Sequence, residues 1–178
     1  AHIAEWITGG RADLGLLYNP EPVPALEITP LLREPLCLVQ PRPARSSKAG
    51  RRATAATVKL RELVDYPLVL PERTQSLRRL LQTQATLAGV TLDIACEVSS
   101  IPAIIDLVCA RMGHAVLTES AVAASGRAAE LCTRRIVEPE LPTVLCLAQS
   151  ATKPPTPLIR EARRVLSGLV ARGKPQRR

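Results

Sequence analysis

An α/β fold with mainly parallel sheets is what the sequence predicts, on three observations. Short apolar or alternating runs that suit strands take turns with helix-periodic stretches throughout. Glu97 to Val122 contains a complete βαβ pattern: Glu97-Val98-Ser99, an apolar helix, Gly113, and the run His114 to Val122. A chain of 178 residues makes one domain or two small lobes, able to bury about 70% of its unfolded surface.

Within the βαβ unit, Ile101, Ile104, Ile105, Val108 and Met112 recur at helical spacing and form one stripe. Ser99 or Ser100 can cap the first amides, Pro102 sits in the first turn, and Gly113 is the expected stop. An open helix N-terminus of this kind favours anions.

From the beginning, Ile3, Trp6 and Ile7 give a helical face broken by Gly9-Gly10. Ala12 to Tyr18 suits a strand buried on both faces. Leu26 to Glu34 and Leu36 to Pro41 read as two short strands, the first an edge or interrupted strand because of Pro30. Pro43 to Thr57, rich in Arg, Ala and Ser, reads as a mobile surface loop. Leu60 to Val64 is a short helix before the strand Leu68 to Leu70. From Gln75 to Ala88 the spacing predicts a helix, with Thr74 or Ser76 as cap and Gly89 as stop. Strands at 93–97, 131–137 and 143–148 and a final amphipathic helix through Leu158, Ile159, Ala162, Val165, Leu166 and Leu169 complete the chain.

Composition narrows the function. Aromatics are 2% with no Phe, which argues against single-stranded nucleic-acid binding by stacking. The net charge of +8 is concentrated in Arg42, Arg45, Lys48, Arg51 and Arg52 and in Arg172, Lys174, Arg177 and Arg178. Neither cluster lies on a predicted amphipathic helix, so both read as solvated loop and tail. Cys37, Cys96, Cys109, Cys132 and Cys146 lack CxxC spacing and mostly fall in apolar patterns, as buried reduced thiols in a cytoplasmic protein do. No apolar run reaches a membrane span, and Ala1 to Gly10 lacks the pattern of a signal peptide. No nucleophile elbow, P-loop, HExxH or dinucleotide motif occurs, and His2 and His114 are the only histidines, so neither an enzyme nor a metal or cofactor is expected. Near the predicted start of the second helix, Arg78 is a cation where the helix dipole disfavours one. It hints at an anionic neighbour but reads more simply as a surface arginine.

Glu97-Val98-Ser99, the helix through Leu107-Val108 and Met112-Gly113-His114-Ala115-Val116-Leu117 resemble the effector-binding domain of LysR-type transcriptional regulators, in the nitrogen assimilation control branch. Glu5-Trp6-Ile7, Gly10-Arg11 and the segment from Leu31 to Pro41 resemble it too. Arg111 departs from a frequent glycine and Thr118 from a frequent proline.

The resemblance implies two Rossmann-like lobes with a cleft between them, similar to type 2 periplasmic binding proteins, with the opening strand and helix of the first lobe missing. Lobe I would comprise 1–41 and 138–172, lobe II 60–137, with a mobile basic loop at 42–59 and a basic tail at 173–178. It implies a small, anionic effector bound by Ser99, Ser100, Gln40, Thr74, Gln75 and Ser76. Helix N-termini and short hydroxyl side chains suit such a ligand; the plainer reading is that these residues only cap helices and turns. It also implies DNA contact through an absent N-terminal helix-turn-helix, and a homodimer or homotetramer. A solute-binding protein for transport is the alternative.

Overall fold

The structure is a computed structural model that describes residues 2–42 and 56–172. Residues 43–55 of the expected basic loop, and the tail 173–178, lie outside the described residues. The chain divides into two compact units, Ala1–Arg33 with Thr143–Arg178, and Glu34–Pro142. The second unit thus runs from 34 to 142, where lobe II was expected over 60–137 with a separate loop at 42–59.

The reason is the strand β2, Leu26–Pro41, which is one continuous strand of 16 residues where two were expected. Its Leu36 to Val39 pair with β6 (Ala115–Thr118), and its Cys37 to Pro41 pair with β7 (Leu131–Val137), both antiparallel. These ladders hold the second half of β2 inside the second unit. Pro30 is accommodated without ending the strand.

In the first unit, α1 (His2–Thr8) packs on β1 (Leu14–Tyr18), which pairs antiparallel with β8 (Pro142–Ser150); β2 is the next neighbour of β8. Gly15 lets the helix approach closely here, since an added Cβ would run into the Ile3 side chain, which would have to shift. Ile7, Leu26 and Ala148 form the small core. β1 is only half-buried, not buried on both faces, since β8 is its one strand neighbour among the described residues. The last helix, Pro157–Arg172, has no fully buried residue, and Leu158, Val165 and Leu169 are exposed.

The second unit holds the main core. β3 (Thr57–Lys59) pairs parallel with β7 and is a strand within the expected loop; three residues are too few to show a period. Leu60–Asp65 is a 3-10 helix. β4 (Leu68–Leu70) pairs parallel with β5 (Ile94–Glu97) and bridges His114. The sheets are thus mixed, parallel around β4 but antiparallel along β2. The helices α2 (Ser76–Leu87) and α3 (Ile101–Cys109) follow β4 and β5, and the short α4 (Glu119–Ala124) follows β6. Leu36, Leu38, Leu60, Leu63 and Ile136 lie in one apolar cluster, and Val39, Ile104, Ile105, Val108 and Leu117 in another.

Three local expectations are corrected. The α3 helix stops at Cys109, because Arg111 itself takes the left-handed conformation (φ 62°), so Met112 leaves the stripe and is exposed. The expected strand to Val122 ends at Thr118, whose hydroxyl accepts from Ala121 N–H and starts α4. The thiols are not uniformly buried: Cys37 and Cys146 are, Cys109 and Cys132 are partly so, and Cys96 is exposed on β5.

Candidate functional site

Two parallel strands, β4 and β5, end side by side, and each feeds a helix. Ligands of α/β folds sit at such carboxyl ends, where helix N–H groups point outward. The turn after β4 carries Thr74, Gln75 and Ser76; the turn after β5 carries Ser99 and Ser100. Val98 N–H donates to Leu70 O at 2.9 Å, and Gln75 Nε2 donates to Ser99 O at 3.4 Å, so the two turns are tied together. Thr74, Ser99 and Ser100 are exposed, Gln75 and Ser76 half-buried.

Gln75 is the N-cap residue of α2 and Ser100 that of α3, and neither makes a side-chain cap hydrogen bond. The expected caps, Ser99 or Ser100 for α3 and Thr74 or Ser76 for α2, are thus not what the structure shows: the N-cap positions are Ser100 and Gln75, without side-chain cap bonds. The first N–H groups of both helices lack side-chain cap acceptors.

Gln40 stands apart from these five residues. It is buried on β2, opposite Cys132, with its Oε1 lacking a hydrogen-bond partner. Strand alternation puts it on the face of Leu36 and Leu38.

Arg78 is the residue that sequence reasoning undervalued. It is 2% exposed, in the first turn of α2, and so not a surface arginine. Nη1 donates to Gln82 Oε1 at 2.6 Å, while Nη2 stands 3.6 Å from Glu97 Oε1, in ion-pair range but too far for a hydrogen bond. Nε and Nη2 are buried without hydrogen-bond partners. Burial lowers the guanidinium's pKa from its ordinary value, partly offset by Glu97. Arg73 reaches the same Glu97 oxygen at 3.4 Å. The signal in the sequence was a cation at a helix start, where the dipole opposes it.

Three titratable groups elsewhere are held by burial and hydrogen bonds. Burial and the nearby Glu119 carboxylate push the Cys37 thiol up to about 12, so it is not a thiolate at neutral pH. Glu34, buried, accepts from Ser120 Oγ at 2.6 Å and from Ser120 N–H at 3.2 Å at the start of α4. His114 lies edge-on to Tyr66, ring centroids 5.1 Å apart, and burial lowers its pKa. A lowered folded-state pKa means stability that is complete above the unfolded value of about 6.5 and is lost as pH falls through the folded one. Replacing His114 by Phe should therefore flatten the fall in melting temperature between pH 7.5 and 5, measured against the parent chain.

In the first unit, Asp13, Gln149, Ser150 and Lys153 help line a cavity of about 20 Å³, room for a single water and too small for a metabolite. Among the described residues no group of three or more His, Cys, Asp or Glu is placed to hold a metal ion. No described helix is long and apolar enough to cross a membrane.

Comparison with known proteins is consistent with this geometry. The family model described as LysR substrate binding domain matches residues 1–170. The nitrogen assimilation regulatory protein nac of Klebsiella aerogenes is 28% identical over 166 residues, 93% of this chain and 52% of that protein. The HTH-type transcriptional regulator BbuR of Bordetella bronchiseptica is 28% identical over 169 residues, 95% of this chain and 49% of that protein. The chain thus spans about half the length of the curated relatives it matches.

Among solved structures, the CcmR regulatory domain of Synechocystis PCC6803 in complex with 2-PG superposes with a TM-score of 0.77 at 20% identity, over 95% of this chain and 78% of that one. The effector binding domain of QuiR in complex with shikimate gives 0.75 at 19% identity, over 96% and 78%. The mixed α/β architecture is that of LysR effector-binding domains, of the type 2 periplasmic-binding-protein kind. With the family model matching nearly its whole length, the chain belongs to the LysR family of transcriptional regulators, as a LysR substrate-binding domain.

Proposed function

We propose that the chain senses a small anionic metabolite, and that the metabolite docks on the rim formed by Thr74, Gln75, Ser76, Ser99 and Ser100. One observation carries this reading: the N-termini of α2 and α3 stand together, tied by Gln75 and Ser99, and neither spends a side chain on its own cap. Their partial positive charge and N–H groups match an anion. That QuiR and CcmR domains were solved with shikimate and 2-PG supports a small molecule as the ligand. Gln40 is left out of this rim because it lies past the Ala115 end of the β2–β6 ladder, the end opposite the carboxyl ends of β4 and β5.

Effector binding shifts the sensor between two arrangements by differential affinity, and so alters how paired subunits present DNA-binding helices that lie outside this chain. The subunit assembly is a homodimer or homotetramer, and the compartment the cytoplasm. The transport reading gains no observation: the relatives named above are regulators.

Ser99→Trp tests the rim. In the full-length regulator the bulky ring should abolish the transcriptional response to effector while leaving basal DNA binding intact. An unchanged response removes Ser99 and its neighbours from the site.

A further inference from the structure

Arg78 is held in a manner that stability does not explain. A guanidinium at 2% exposure has lost most of its hydration, and such groups are normally hydrogen-bonded on every side. Here Nη1 alone is matched, by Gln82 Oε1. The two unmatched nitrogens, Nε and Nη2, are the pair that together make one bidentate edge of the arginine fork. Glu97 does not fill that edge: one oxygen approaches Nη2 to 3.6 Å, and the same oxygen is shared with Arg73 Nε at 3.4 Å.

The exposure of the three side chains differs in a useful direction. Arg78 is shut in, whereas the side chain of Glu97 is 35% exposed and that of Arg73 80% exposed. Glu97 can turn to water at small cost; Arg78 cannot follow it. Glu97 also ends β5, two residues before Ser99, and Arg78 is in the first turn of α2.

We propose that the Nε and Nη2 edge of Arg78, with Arg73 at its mouth, is the seat for a carboxylate of the effector, and that Glu97 is the counter-charge beside it in the free protein. This rests on the rim assignment above and gives it a chemistry. An incoming carboxylate accepts both N–H groups of the fork while Glu97 rotates outward, so one carboxylate exchanges for another. Glu97 is then a competitor, and removing its charge strengthens binding.

The test uses acetate as probe, titrated into the whole chain at constant ionic strength and followed by the Arg78 Nε–H signal and the backbone amides. Acetate should move the Arg78 Nε–H and the amides of residues 76–79. Glu97→Gln should tighten this response about tenfold, a gain that a loss of folding cannot imitate, and Arg78→Gln should abolish it. If Glu97→Gln binds acetate no better than the parent, or the Arg78 Nε–H does not move, the seat is wrong. If in that case the amides of residues 76–79 and 101–104 still shift, the rim stands without Arg78. If shifts occur only elsewhere, the rim falls as well.

Discussion

Gly113→Ala should lower the stability of the chain by about 2–4 kcal/mol. Gly113 has φ 152°, a conformation that L side chains rarely adopt, and a Cβ there would meet Pro67 O and Val69 Cγ2, each at 2.9 Å. Neither neighbour can retreat freely. Pro67 O accepts from His114 N–H at 2.8 Å, and Val69 N–H donates to His114 O at 2.7 Å, which joins β4 to the start of β6. Val69 itself is buried in the cluster that backs α3. Urea titration checks this: the midpoint should fall with little change in slope. A midpoint equal to the parent's would mean that the turn relaxes and does not fix the placement of β4.

Arg134→Met should cost a similar amount, about 2–4 kcal/mol, and loosen β3 in particular. Arg134 is buried on β7; Nε and Nη2 donate to Thr57 O at 3.2 and 2.8 Å, and Nη1 donates to Tyr66 Oη at 2.9 Å. Methionine fills much of the volume but leaves the part-buried Thr57 carbonyl and the buried Tyr66 phenol without these donors. β3 is only three residues long, and only its Val58 is buried. Amide exchange at Val58 and Lys59 should accelerate more than exchange in β6. Uniform acceleration would instead place Arg134 in the global core, with no special role at β3.

The helices α2 and α3 were legible in the sequence because burial of one face imposes their period. The stripe of α2 and that of α3 through Val108 sit where spacing put them, and Gly89 marks the end of α2 with φ 67°. What failed was set by tertiary contacts. Thr118 reads as a strand residue, yet its hydroxyl and the Glu34 carboxylate, 84 positions earlier, turn the chain into α4. Arg111 takes a left-handed turn that spacing assigns to Gly113, and this displaces Met112 from the core. Pro30 suggested a break, but β2 continues through it.

The candidate rim was legible as residue types, since hydroxyls before two amphipathic helices stand out in a chain poor in catalytic motifs. Its geometry was not. No sequence pattern says that Gln75 reaches Ser99, that Gln40 lies at the other end of the strands, or that Arg78 is shut in beside Glu97, because these contacts and registers arise only in the folded sheet.

The most direct measurement of the central claim is amide hydrogen exchange of the whole chain with and without a pool of small carboxylates. Added protection is expected at residues 74–79 and 99–104, the two turns that follow β4 and β5. Protection confined to the first unit, near Asp13, Gln149 and Lys153, or none at either turn, would contradict it.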